Sequence, residues 1–196
     1  MTEKRYHHGN LKNCLIEAGI ELINKEGETH FSLRKVAAIC GVSNAAPYSH
    51  FSNKEELLEA MKSYVTEQFT KELNSSVKGE DLENPYTLVK LGKSYVTFFV
   101  KNPQYFEFLF SQSCISVNLS MNDDTKSSFP PFELLKEMHF RILRQHGLSD
   151  ERIKDAVISA WATVHGLAAI ATMKGVSYDG NWENKIEDII WNKKEI

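Results

Sequence analysis

Residues 32–51 read SLRKVAAICGVSNAAPYSHF, and this stretch decides the fold. Val36, Ala37 and Cys40 recur at a spacing that places them on one face of a short helix, with Ser32 ahead of it as N-cap. Ala37 keeps that face small enough for another helix to cross closely. Gly41 ends the helix, because glycine takes a positive φ there without steric cost, and Val42 supplies an apolar anchor at the corner. Ser43 is placed to cap a second short helix over residues 44–50, so the stretch predicts a helix-turn-helix. The outward residues of such a second helix can enter a DNA major groove about 12 Å wide.

On the N-terminal side, Leu11, Leu15, Ala18 and Leu22 predict a helix over 8–26, stopped by Gly27. On the C-terminal side, Ser52-Asn53-Lys54-Glu55 has the form of a capping box and opens a long helix through Leu57, Leu58, Met61, Val65 and Phe69. The pattern turns polar over 74–84. Pro85 then restarts a helix through Leu88, Leu91, Tyr95, Phe98 and Phe99, broken at Asn102-Pro103, and an aromatic segment follows over 105–110. Residues 111–131, Ser-rich with Asp123-Asp124 and ending in Pro130-Pro131, read as a long loop. Further helices are expected at 132–145, 150–174 and 182–193. No strand pattern interrupts them. The expected fold is all-α, with an N-terminal three-helix helix-turn-helix unit (1–58) joined by a long helix to a C-terminal helical bundle (59–196), about nine helices in all.

With 42% hydrophobic residues in 196, the chain can bury a core, which excludes intrinsic disorder. A net charge of −3 excludes a broadly basic nucleic-acid coat. Cys14, Cys40 and Cys114 are odd in number and lack CxxC spacing, which argues against a disulfide framework or zinc module and fits a reducing cytoplasm. The first residues carry no apolar run, so no secretory signal is expected. Residues 156–173, AVISAWATVHGLAAIATM, hold no formal charge and touch the lower length limit for a membrane span. Their Ser159, Thr163, His165, Thr172 and many alanines, without a basic flank, instead predict a helix buried on both sides in a soluble protein, with no membrane partner. His7, His8, His30 and His50 are too scattered to predict a metal site. No GxSxG, Walker loop, HExxH or dinucleotide fingerprint occurs, so neither an enzyme nor a cofactor is expected.

Four pieces stand in a fixed order: Phe31-Ser32-Leu33-Arg34-Lys35-Val36-Ala37, Gly41-Val42-Ser43, Tyr48-Ser49-His50-Phe51, and Lys54-Glu55-Glu56-Leu57-Leu58. In these the chain resembles the TetR/AcrR family of transcriptional repressors. Further on, Trp161-Ala162-Thr163-Val164-His165-Gly166-Leu167 resembles the Trp-His-Gly signature of one C-terminal subgroup of that family. The resemblance implies a cytoplasmic homodimeric repressor that binds a palindromic operator and answers to a small-molecule effector. It further implies that effector entering the C-terminal bundle swings the fourth helix and changes the separation of the two recognition helices. That separation matters because half-sites about 34 Å apart must be met together.

The chemistry of the residues gives each a role. Ser32, at the start of the second helix, offers free N–H groups to a phosphate. Tyr48 and His50 can donate to phosphates flanking the groove, and Lys54, whose charge opposes the dipole of the helix it opens, can clamp another. Asn44 can read an adenine edge or touch a phosphate; Ala45 and Ala46 can meet thymine methyls. Pro47 departs from the large aliphatic residue commoner in the family at that place. So near the helix start it removes at most one intrahelical bond and stiffens the reading head. Tyr48 has a second reading as a core aromatic, the role expected of Phe51. Residues 1–54 hold seven Lys or Arg against five Glu, a balance of only +2, so specific contacts and dimerisation must supply much of the affinity.

Tyr95, Phe98, Phe99, Phe106, Phe110, Trp161 and His165 are core residues first and walls of an effector pocket second. On a helical wheel, Ile153, Val157, Ala160, Trp161, Val164 and Ala168 form one wide apolar face of the 150–174 helix. Ala162, Gly166, Ala169 and Met173 form the opposite side, where a surface helix would place charges. Small residues there let a second helix approach closely, so this side is expected to be the seam across which two copies of the chain pair; the alternative is that another helix of the same chain fills it. Two rival classes remain open: a helical small-molecule carrier, favoured by the weak local charge, and a structural nucleoid or partner-binding protein on the same fold.

Overall fold

The computed structural model describes residues 11–111, 115–120 and 129–192. Among the described residues the chain is helical throughout, with eight α-helices, two 3-10 turns and no strand. It divides into two compact units, one ending at Val65 and the other beginning at Thr66.

The first unit holds α1 (Leu11–Glu26), a 3-10 turn (Glu28–His30), α2 (Leu33–Ile39), a second 3-10 turn (Ala46–Ser49) and the first half of α3 (Lys54–Val77). Leu15, Ile16, Ile20 and Ile23 of α1 are buried, as are Leu33, Val36 and Ala37 of α2, with Phe31, Phe51, Leu57 and Met61. Each of these side chains larger than Ala37 contributes about 1.5–3 kcal/mol relative to exposure. Ser32 caps α2 as read, accepting from the Lys35 N–H at 3.4 Å. Phe51 is a core residue, 2% exposed, whereas Tyr48 is 55% exposed.

Two local expectations are corrected. The start of α3 is capped one residue later than the S-x-x-E reading: Asn53 Oδ1 accepts from the Glu56 N–H at 2.8 Å, and Glu56 reaches back to the Ser52 N–H at 2.6 Å. Serine and asparagine cap about equally well and each has a glutamate three residues on, so the sequence alone does not choose between them. In the structure Asn53 and Glu56 take these parts, with Glu56 accepting from the N–H one residue ahead of the cap. The helix expected over 44–50 is instead the four-residue 3-10 turn, which accounts for eight helices rather than nine. Pro47 is the cause. In an α-helix capped at Ser43, the residue 47 N–H would make the first i→i−4 bond, and proline has none. The chain closes shorter loops instead: Ala46 N–H to Ser43 O at 3.0 Å, Tyr48 N–H to Ala45 O at 3.2 Å and His50 N–H to Pro47 O at 2.9 Å. Ser43 thus contributes its carbonyl, and the turn has no side-chain cap.

The second unit contains the rest of α3, then α4 (Tyr86–Lys101), α5 (Pro103–Ser111), α6 (Pro130–Gln145), α7 (Asp150–Thr172) and α8 (Trp182–Asn192). α6 starts two residues earlier than read because Pro130, with φ preset, serves as its first residue. α4 packs on α7 and α8, and α7 also meets α5 and α6. Gly92 makes the α4 contact close: a Cβ there would lie 2.9 Å from Ile190 Cδ1 and 3.2 Å from Val164 Cγ1.

α7 departs from expectation. It is the one described helix long and apolar enough to cross a membrane by length and composition. Its inner face is buried at Ile153, Val157, Val164 and Ala168, whereas Ala160 and Trp161, read on the same face, are only half-buried. It is not buried on both sides, because among the described residues no helix of the second unit covers the other: Ala162 is exposed, and so are Ile158, Ile170 and Met173 at 38%, 45% and 58%.

Candidate DNA-contact surface and aromatic cluster

Gly41 follows α2 with φ of +68°, the left-handed turn anticipated for it. The Val42 N–H bonds to Ala37 O at 3.0 Å, which folds the corner back on α2 and leads into the 3-10 turn. Asn44, Ala45, Tyr48, His50 and Lys54 are exposed and Ala46 is half-buried, so their side chains are available to a ligand. Pro47 itself is buried. The Ser49 hydroxyl donates to Ala46 O at 2.7 Å and is committed to the turn.

Charge in this unit is partly spent internally. Lys35 Nζ lies 2.8 Å from Glu26, and the hydrogen bond from Lys35 holds the Glu26 carboxyl below its ordinary range. Lys54 Nζ stands 3.9 Å from Glu55, a loose exposed pair that leaves the ammonium available. Among the residues considered for metal, His30 points Nδ1 at Glu26 O at 2.9 Å, acting on the end of α1. His7 and His8 lie outside the described residues. No group of three His, Cys, Asp or Glu able to hold a metal occurs among the described residues.

Sequence reasoning missed one pair. Cys14 of α1 and Cys40, the C-cap of α2, bring their sulfurs to 2.9 Å, with Cys14 donating. Nothing in a separation of 26 residues signals that meeting.

The second unit gathers all seven aromatic-cluster residues. Phe99 meets Phe106 and Phe110 at ring-centroid distances of 5.2 and 5.6 Å. His165 lies 4.6 Å from Phe110, 5.2 Å from Phe106 and 5.9 Å from Trp161. Tyr95 and Phe98 pack edge-on to Phe99 at 5.4 and 5.1 Å, and Phe69 of α3 sits against all three. Tyr95, Phe98 and Phe99 are buried, while Phe106, Phe110, Trp161 and His165 are only half-buried. Polar atoms converge here too. The Tyr95 hydroxyl is 3.3 Å from His165 Nδ1, and the enclosed indole N–H of Trp161 stands beside it. Burial pushes the Tyr95 hydroxyl up and the His165 imidazole down, so both are neutral at pH 7. Two surface depressions of about 510 Å³, one along α6 and one around Tyr86 and Trp191, include none of the seven.

The fold and the turn define a helix-turn-helix unit on a chain that continues into a helical bundle. Residues 15–61 match the tetR family of bacterial regulatory proteins, and residues 88–188 match the tetracyclin repressor-like C-terminal domain. The chain belongs to the tetR family. The HTH-type transcriptional regulator YuxN of Bacillus subtilis is 33% identical over 76 residues, 38% of this chain and 26% of its own length. The match thus spans about a quarter of that relative. The nucleoid occlusion factor SlmA of Pectobacterium carotovorum is 23% identical over 152 residues, covering 76% of this chain and 74% of its own. Among solved structures, AibR in complex with isovaleryl coenzyme A and operator DNA shares the fold with a TM-score of 0.63 at 18% identity, covering 91% of this chain and 95% of that one.

Proposed function

We propose that this protein is a cytoplasmic transcriptional repressor that binds a palindromic operator as a homodimer and releases it on binding a small molecule. The observation that carries the reading is the set of exposed side chains Asn44, Ala45, Tyr48, His50 and Lys54, directly after a left-handed Gly41 turn on a buried frame. Asn44 reads a base edge, Ala45 and Ala46 meet thymine methyls, and Ser32, Tyr48, His50 and Lys54 hold phosphates. AibR, by its description, binds isovaleryl coenzyme A and operator DNA, which supports an effector role for the second unit. The effector enters where Phe106, Phe110, Trp161 and His165 are half-exposed, with the Tyr95 hydroxyl and His165 as its polar partners. Two copies pair along Ala162, Gly166, Ala169 and Met173, a face on which Ala162 and Met173 are exposed and Gly166 and Ala169 half-buried. There a Cβ added to Gly166 would meet nothing within 4 Å. That partner buries the apolar outer side of α7, which needs no membrane to cover it.

A gel shift with the DNA flanking the gene, with and without a metabolite extract, tests the reading. Binding that the extract reverses is expected. Binding with no release would favour a structural nucleoid role, the second reading, which the similarity to SlmA supports. An absence of binding would leave a small-molecule carrier.

A further inference from the structure

The geometry points to Cys14 and Cys40 as a reversible disulfide site inside the helix-turn-helix unit, formed by a hydroperoxide and undone by thiols. Their sulfurs are 2.9 Å apart, so closing by about 0.9 Å reaches the bond length of about 2.05 Å. The two residues come from different elements that pack on each other, α1 and the end of α2. Cys40 has a fixed backbone: its N–H bonds Val36 O at 3.0 Å, and the next two N–H groups bond Ala38 O and Ala37 O. The pair is therefore held at this approach by the packing of α1 on α2. Cys40 is 7% exposed, whereas Cys14 is half-buried and is the sulfur an oxidant reaches first.

The chemistry balances with the hydroperoxide as oxidant. The Cys14 thiolate attacks the distal peroxide oxygen, the O–O bond breaks, and an alcohol (water, for hydrogen peroxide) leaves with a proton, giving a sulfenic acid. The Cys40 thiolate then attacks the Cys14 sulfur, forming S–S and expelling water after proton uptake. The thiol pair loses two electrons and the peroxide gains them. The bridge joins α1 to the residue directly before Gly41, at the foot of the segment that carries residues 44–50. It closes a chain loop of 26 residues, which restricts the unfolded chain.

The test uses the full chain carrying Cys114→Ser, so that only these two thiols remain. After hydrogen peroxide, denaturing alkylation should count no thiols, digestion should give one peptide pair joined through Cys14 and Cys40, and dithiothreitol should restore both. The oxidised protein should melt several degrees above the reduced protein, as expected for a bridge formed at native geometry. In Cys40→Ala, dimedone should trap Cys14 as its sulfenic acid. If that variant does not fold, Cys14→Ser should leave Cys40 unmodified at the same peroxide dose. Two alkylatable thiols after peroxide, over-oxidised cysteines without a joined peptide, or a lowered melting point on bridging would each overturn the proposal.

Discussion

The two units use their side chains in opposite ways. In the first, most of the residues proposed to meet DNA are exposed and the residues that hold them are buried, so the two tasks fall largely on different side chains. Asn44 and Tyr48 stand outside, while Val36, Ala37 and Phe51 form the frame within. In the second, one group does both: Tyr95, Phe98 and Phe99 are the candidate ligand wall and also the centre of the core. Function and stability should therefore separate cleanly in the first unit and fall together in the second.

The largest effect should come from Phe99→Ala. This side chain is fully buried against Phe69, Tyr95, Phe98, Phe106 and Phe110, and its loss should cost about 3–5 kcal/mol in thermal or urea unfolding. A cost below 1 kcal/mol would break the contrast, by showing that the cluster is already loose.

Gly166→Leu should follow. Among the described residues nothing meets a Cβ at Gly166, so the monomer should keep its helical circular dichroism. At a twofold contact the added side chain is met twice, at about 1–3 kcal/mol per site. Sedimentation should show a shift toward monomer and the gel shift a loss of affinity for a palindromic site. A fully dimeric variant with normal affinity would remove this face from the interface.

Asn44→Ala should leave unfolding within about 0.5 kcal/mol of the parent, as exposed positions do. If Asn44 reads a base, the variant should weaken the operator by about 1–3 kcal/mol and relax preference at one symmetric pair of positions. Equal weakening on every sequence would reassign it to a phosphate. Smallest of all, Lys54→Ala should lower the magnitude of the salt slope by about one per half-site, on operator and random DNA alike. An unchanged slope takes Lys54 off the DNA.

Much of the frame was legible because it depends on local pattern. The spacing of Leu15, Ala18 and Leu22, the Ser32 cap and the Gly41 turn each act over a few residues, and each formed as read. What was misread depends on competition between neighbours. Ser52 and Asn53 both offer a cap, and only the fold shows Asn53 paired with Glu56. Pro47 looked like a minor loss near a helix start, yet it sits where the first α-helical bond would form and turns the segment to 3-10 geometry. The small residues on the outer side of α7 marked a face that something covers, without showing that the second unit's own helices leave it open, and the meeting of Cys14 with Cys40 is a tertiary fact with no local signature. The aromatic cluster falls between these cases: its members could be named, but their convergence on His165 could not.

The 3-10 turn also shapes how this chain could drift toward new binding sites. With three residues per turn, side chains three apart eclipse one another instead of fanning round a cylinder. Ala45, the N-cap of the turn, is one such step before Tyr48, whose N–H bonds Ala45 O at 3.2 Å, so a longer residue at 45 is expected to crowd the exposed Tyr48 ring. In an α-helix those positions would vary more freely. Here a change of preference should travel through pairs of substitutions, 45 with 48, so a lineage carrying this proline has fewer single steps open to it.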